Sequence, residues 1–450
     1  MNVNPVAGSN NQGFFGTRRA FFGKAGGDVL KVALGSTVAL SVFPQTVSAS
    51  PFEGIDLNGE FQVVPRGRRQ KPIVYLWLEG GLSQTDTWSP LPNAPREIKG
   101  PFNTIQTSVP GVTLSEKLPL AARHMHQMIL MRNISHGDPN HGTATNLMFT
   151  GKSNQVGTSR QNPSFAVKLG NHHNREVPLG YITFNADPGN GFLYPGIGQN
   201  DSLYLRQPNS SSNEIEALNR GNSPYPSPSG NDFDAARHAN RRVLLRELNR
   251  HSPDTTETRR WDMLNDRADS VINGRIREAF DLGRVPDRIR DRYGKTPFGN
   301  AALITVRLVR AGAPFVLLNK LGWDNHSNLE GELNNKMPEL DKIIHLLFEE
   351  LGDTAIIAIG SEFGRKPVMD DGGGTGRNHW PHASALVIGG AGIEHRLVDS
   401  LDNRGVITGQ KYPGELAMPS VAYAAGYAFR VKRDQTVTEV EVPHYPVLDR

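Results

Sequence analysis

The 450-residue chain contains no cysteine. Disulfide staples, thiol nucleophiles and cysteine metal sites are therefore excluded. Long apolar runs are missing as well. The most apolar N-terminal stretch, Val29 to Phe43, is broken by Lys31, Gly35, Ser36 and Thr37. It falls short of the ~20 apolar residues that span a bilayer, and no second such run follows, so no stable membrane insertion is expected. Net charge is also scarce. Of the formal +4, the first 49 residues hold four basic groups against Asp28 alone, a net of +3, which leaves +1 for the remainder. A near-neutral body offers nucleic acid no electrostatic footprint.

What is present begins at Thr17-Arg18-Arg19-Ala20-Phe21-Phe22, with Lys24 close behind. Paired arginines before two aromatics predict a twin-arginine signal peptide over residues 1–49. Val47-Ser48-Ala49 supplies the small residues of a cleavage site. The expected mature protein is periplasmic or extracellular and folds before export. Its ~400 residues can bury a large core without covalent staples.

Residues 50–70, ending in Arg66-Gly67-Arg68-Arg69, read as a linker before a domain over 71–450. Continuous apolar runs follow at Ile73–Leu78, Met128–Met131, Phe315–Leu318, Ala355–Ile359 and Ala385–Ile388. Runs of this kind mark strands buried on both faces. Helical stretches lie between them at Leu118–His126, Ala301–Ala311 and Leu333–Leu351. The alternation predicts an α/β fold with a mostly parallel central sheet and helices on both faces. Residues ~150–295 read as a helical insertion, whose arginines from Arg237 to Arg250 fit a solvated helix face.

In such sheets the sites form beyond the carboxyl ends of the strands, and the polar residues gather there. Asp324 and His326 stand two apart, so an extended segment sends both side chains to one side. Glu362 on a neighbouring strand end and His379 or His382 complete a mixed oxygen–nitrogen set. That set suits zinc, manganese or iron better than calcium. The plainer reading of Asp-x-His is a loop held by a carboxylate–imidazole hydrogen bond. Arg365 is a candidate anion binder or a partner of nearby acids. Thr143 is equally at home capping a helix. Gly372 to Gly376 lacks the Gly-Lys-Ser/Thr ending of a phosphate loop, so no nucleotide is expected and the run reads as a flexible lid.

Five segments resemble one family in order: Glu79-Gly80-Gly81-Leu82-Ser83-Gln84-Thr85-Asp86-Thr87, Asn140-His141-Gly142-Thr143, Gly322-Trp323-Asp324-Asn325-His326-Ser327, Glu362-Phe363-Gly364-Arg365 and His379-Trp380-Pro381. They look like the motifs of the "domain of unknown function 1501" family, exported bacterial relatives of sulfatases and alkaline phosphatases. The resemblance implies an alkaline-phosphatase-like fold and a metal-dependent hydrolase. It aligns His141 with the sulfatase nucleophile, leaves Thr143 displaced by two, and puts Glu79 where an acidic metal ligand is expected. Glu362-Phe363 stands where the superfamily has a metal-binding Asp-His pair, and Asn378 where relatives commonly show Asp.

These readings combine into one expectation. Asp324, His326, Glu362, His379 and Glu79 supply a divalent metal site. His141, Arg365 and Thr143 are the catalytic candidates, and a metal-bound water attacks a small-molecule or polysaccharide sulfate or phosphate ester. The alternative is a non-catalytic secreted protein that keeps the fold and binds a ligand or a protein partner.

Overall fold

In a computed structural model of the chain, the described residues are 60–65, 70–151, 164–173, 180–185, 275–433 and 436–438, with isolated positions between 240 and 262. The expected signal peptide lies outside them, as do parts of the stretches read as linker and insertion.

The central sheet has eight strands: β1 (Ile73–Leu78), β2 (Met128–Ser135), β3 (Ile182–Asn185), β4 (Phe315–Lys320), β5 (Ile356–Gly360), β6 (Ser384–Gly390), β7 (Arg396–Val398) and β8 (Tyr412–Pro413). Their order is β7-β2-β6-β5-β1-β4-β3, with β8 also paired to β2. All run in one direction except β6, which is antiparallel to both β2 and β5. The sheet is therefore mostly parallel, as its apolar runs predict.

Alternation along β1 divides the core in two. Val74, Leu76 and Leu78 face one apolar cluster, shared with helices α3 (Pro297–Arg310) and α4 (Leu329–Leu351). Ile73, Tyr75 and Trp77 face the other, shared with α1 (His141–Thr150), α2 (Phe165–His173) and α5 (Ala417–Ala424). Every residue of β1 is buried, because a central parallel strand has helices on both sides. On the second face Trp77 meets Phe149 edge-on, with ring centroids 4.7 Å apart. That contact fixes the end of α1 to the sheet.

Three boundaries differ from expectation. Glu60–Pro65, within the stretch read as linker, is a strand paired antiparallel with Tyr427–Arg433. β3 falls inside the supposed insertion yet pairs in parallel with β4 at the edge of the central sheet. Its four residues are too short a run to stand out from their polar surroundings. The expected helix over Leu118–His126 is a 3-10 segment, Ala121–Gln127. It is held by α4, where the Asp341 carboxylate accepts hydrogen bonds from Leu120 N (2.9 Å) and Ala121 N (2.8 Å).

Candidate metal centre

β1, β2, β4 and β5 run the same way, so the segments that follow them leave the sheet at one edge, and they meet there. β4 leads to Asp324 and His326, β5 to Glu362, and β2 to the start of α1. His141 is the first residue of that helix, because the Asn140 side chain caps it by accepting from Gly142 N and Thr143 N. His379 precedes β6, which alone runs the other way. The beginning of β6 therefore lies where its neighbours end. A two-residue antiparallel ladder, His379 opposite Arg365 and Trp380 opposite Gly364, seats it there.

Three imidazoles surround the Asp324 carboxylate. His141 Nε2 is 3.3 Å from Asp324 Oδ2, while His326 Nε2 and His379 Nε2 lie 3.0 and 3.2 Å from Asp324 Oδ1. The last two nitrogens are 3.0 Å from each other. Donor atoms of His141, Asp324 and His379 all fall within 4.8 Å of one another, as the ligands of one metal ion would.

Each ring is anchored through its other nitrogen. His141 Nδ1 donates to Glu362 Oε1 (2.6 Å), His326 Nδ1 to Asp371 Oδ2 (2.5 Å) and His379 Nδ1 to the Pro139 carbonyl (2.7 Å). These partners can only accept, so each Nδ1 carries hydrogen and each Nε2 is the nitrogen turned to the centre. That is the usual arrangement of metal-binding histidines, and the donor set fits a divalent cation of the zinc type. The rings of His141 and His379 also rest on the buried Phe363, with centroids 4.9 and 4.6 Å away.

The electrostatics agree with this reading. Burial opposes charge on His141, but hydrogen bonds to Asp324 and Glu362, together with their charges, outweigh it and lift the imidazole to about 9. Burial likewise opposes charge on Asp324. Hydrogen bonds from His141, His379 and Arg365, with the Arg365 charge, outweigh that and hold its carboxyl far below the usual carboxylate range. Without a cation, the carboxylates are balanced by protons on imidazole and by Arg365. A bound metal would take the place of such a proton.

The family model for a protein of unknown function, DUF1501, matches residues 70–398. The chain belongs to the DUF1501 family. No curated protein matches it in sequence. Among solved structures it is similar to a protein of the alkaline phosphatase superfamily from Vibrio parahaemolyticus, at 12% identity and a TM-score of 0.41, covering 86% of this chain and 71% of that one. It is also similar to the lipoteichoic acid synthase LtaP from Listeria monocytogenes, at 10% identity and a TM-score of 0.39, covering 82% and 74%. A third is the zinc complex of the C-terminal periplasmic domain of EcEptC from Escherichia coli, at 8% identity and a TM-score of 0.37, covering 87% and 99%.

In this DUF1501 chain, the residues expected to form the site divide into those brought together and those held apart. Asp324, His326 and His379 meet, and His141 joins them as a donor. Glu362 lies behind His141: its Oε1 accepts from His141 and from Gly80 N (2.8 Å), and Ser361 Oγ donates to its Oε2 (3.1 Å). Glu79 is buried and accepts from Asn319 Nδ2 at 2.6 Å, and it is not one of the three grouped donors. The Thr143 hydroxyl faces Asn140, in the cap of α1. Arg365 has no exposed side-chain surface to offer an anion, and four of its five N–H hydrogens are engaged within the protein. Its guanidinium serves the carbonyls of Gly80, Gly81 and Arg377 and the carboxylate of Asp324. Asp371 was not foreseen. Its only signal is its place immediately before the glycine run. His136 braces the site, with Nε2 donating to the Glu362 carbonyl at 2.7 Å.

Proposed function

We propose that the protein is an exported metal-dependent hydrolase of sulfate or phosphate esters, with His141, Asp324 and His379 holding a single divalent cation and His326 beside them. The observation that carries this reading is the convergence of three imidazole Nε2 atoms on one carboxylate, each with its Nδ1 already anchored. A cation bound there supplies Lewis acidity toward an ester oxygen and activates water. The chain's own residues do the rest. Glu362, Asp371 and the Pro139 carbonyl hold the rings, and Arg365 holds Asp324 in place. Phe363 gives the rings an apolar floor. The Thr143 hydroxyl is turned to Asn140 in the helix cap, which favours direct attack by water over a covalent enzyme intermediate.

A second reading, a secreted binding protein without turnover, is favoured by one observation. Arg365 is spent inside the protein, so no guanidinium of this loop is left to receive an anionic ester. Elemental analysis of the folded, exported protein separates these readings when combined with assays on aryl sulfates and aryl phosphates. Hydrolysis expects one equivalent of metal in the wild type, loss of it in His141→Ala/His379→Ala, and turnover that follows the metal. Metal without turnover leaves the binding protein, and folded wild type without metal removes the hydrolase reading.

A further inference from the structure

The glycine run after Asp371 is packed against the centre instead of forming a free lid. Gly374 N, Thr375 N and Gly376 N all donate to the Asp371 carbonyl, at 3.0, 3.1 and 3.0 Å. The resulting turn is joined to the segment that carries His326. Leu329 N donates to Thr375 O (2.9 Å) and Arg377 N donates to Asn325 O (3.1 Å). Asn328 N donates to Thr375 Oγ1 (3.2 Å). The two backbones touch. A Cβ on Gly376 would lie 2.1 Å from the His326 carbonyl carbon, and one on Gly372 would lie 2.4 Å from its oxygen. Glycine is needed here for close approach, not for mobility.

We propose that residues 371–376 form a positioning strap for the metal centre, in which Asp371 fixes the ring of His326 so that its Nε2 faces Asp324 and His379. This rests on the metal-centre reading above. Glu362 and the Pro139 carbonyl do the same for the other two rings. Glu362 is buried and bound to three groups, and Pro139 acts through its backbone. Asp371 acts from a partly exposed side chain on a surface turn. It is the anchor that can be removed without opening the core.

The test titrates the full-length protein with zinc alone, in competition with a chromophoric chelator, for wild type, Asp371→Ala and Asp371→Asn. Loss of a carboxylate behind a metal-binding histidine costs about 10–100-fold in affinity. His326 stands beside the three ligands and positions Asp324 and His379, so the fall expected for Asp371→Ala is at the lower end, about 10-fold. Asp371→Asn falls between, because its amide oxygen still accepts from Nδ1. The metal-free thermal midpoint stays within about 2 °C of wild type, as for a surface substitution. Ring nitrogen chemical shifts report the His326 tautomer directly: Nδ1-protonated in wild type, mixed in Asp371→Ala. Wild-type zinc affinity in Asp371→Ala overturns the strap and leaves the metal centre standing. A fall in affinity matched by a large loss of metal-free stability, with the tautomer unchanged, makes the turn a structural support and also overturns it. A wild type that binds no zinc overturns both.

Discussion

A histidine's role follows from what occupies each of its nitrogens, and two groups of histidines in this chain show opposite outcomes. At the metal centre, acceptors on Nδ1 turn Nε2 toward a carboxylate. Away from it, a neutral relay forms. Gln127 Nε2 donates to His124 Nδ1 (3.1 Å), His124 Nε2 faces His345 Nδ1 (2.8 Å), and His345 Nε2 reaches Glu349 (3.3 Å). Burial, followed by the neighbouring His345 and His126, pulls His124 down to about 4. The unfolded chain binds this proton below about pH 6.5 and the folded chain does not until about pH 4. Stability from this site is therefore complete above pH 6.5 and is lost as pH falls toward 4. Urea unfolding of wild type and His124→Gln at pH 7, 5.5 and 4.5 checks this. The gap between the two proteins should narrow or reverse toward acid, and a constant gap contradicts it. At this scale the sequence was only partly legible. Asp324 and His326 announce themselves by spacing, but a carboxylate that binds metal and one that braces an imidazole, as Glu362 does, are the same residue type.

The elements decide which residues can meet. β6 reads as one more apolar strand, and nothing in its composition says that it runs against its neighbours. That reversal puts His379 at the edge where Asp324 and Glu362 emerge. α4 was legible as the helical stretch Leu333–Leu351, and its ends fall at Leu329 and Leu351. Its link to the 3-10 segment was not, since Asp341 reaches Leu120 and Ala121 across more than 200 positions. Asp341→Ala leaves two backbone N–H groups without their acceptor and should cost about 2–4 kcal/mol, with Asp341→Asn costing less. Equilibrium denaturation measures both. A cost below that of an ordinary surface change would mean that water replaces the carboxylate.

Across the whole molecule, the centre ties together loops from β2, β4 and β5 and the approach to β6. A cation bound to the folded state alone therefore stabilises all of it. At a hundredfold excess over Kd, the expected gain is about 2.7 kcal/mol. Thermal unfolding of the full chain with and without zinc should show a rise of the midpoint, reversed by a chelator and absent in His379→Ala. An equal rise in that variant would place the binding elsewhere. No helix among the described residues is long and apolar enough to cross a membrane, in keeping with the short apolar runs of the sequence.

Composition and spacing by themselves determined the cysteine-free chemistry, five of the central strands and the gathering of acids and histidines beyond their ends. These are local properties. Burial on two faces demands unbroken apolar residues, and a polar loop follows wherever the sheet meets water. Only the tertiary structure decided that β3 belongs to the sheet and that β6 is reversed. It alone showed that Arg365 is consumed within the protein, and that Glu362 and Asp371 stand behind histidines 221 and 45 positions away. Pairing of a carboxylate with an imidazole depends on distances of a few ångströms, set by the packing of whole elements. No feature of either residue's neighbours in the chain encodes it.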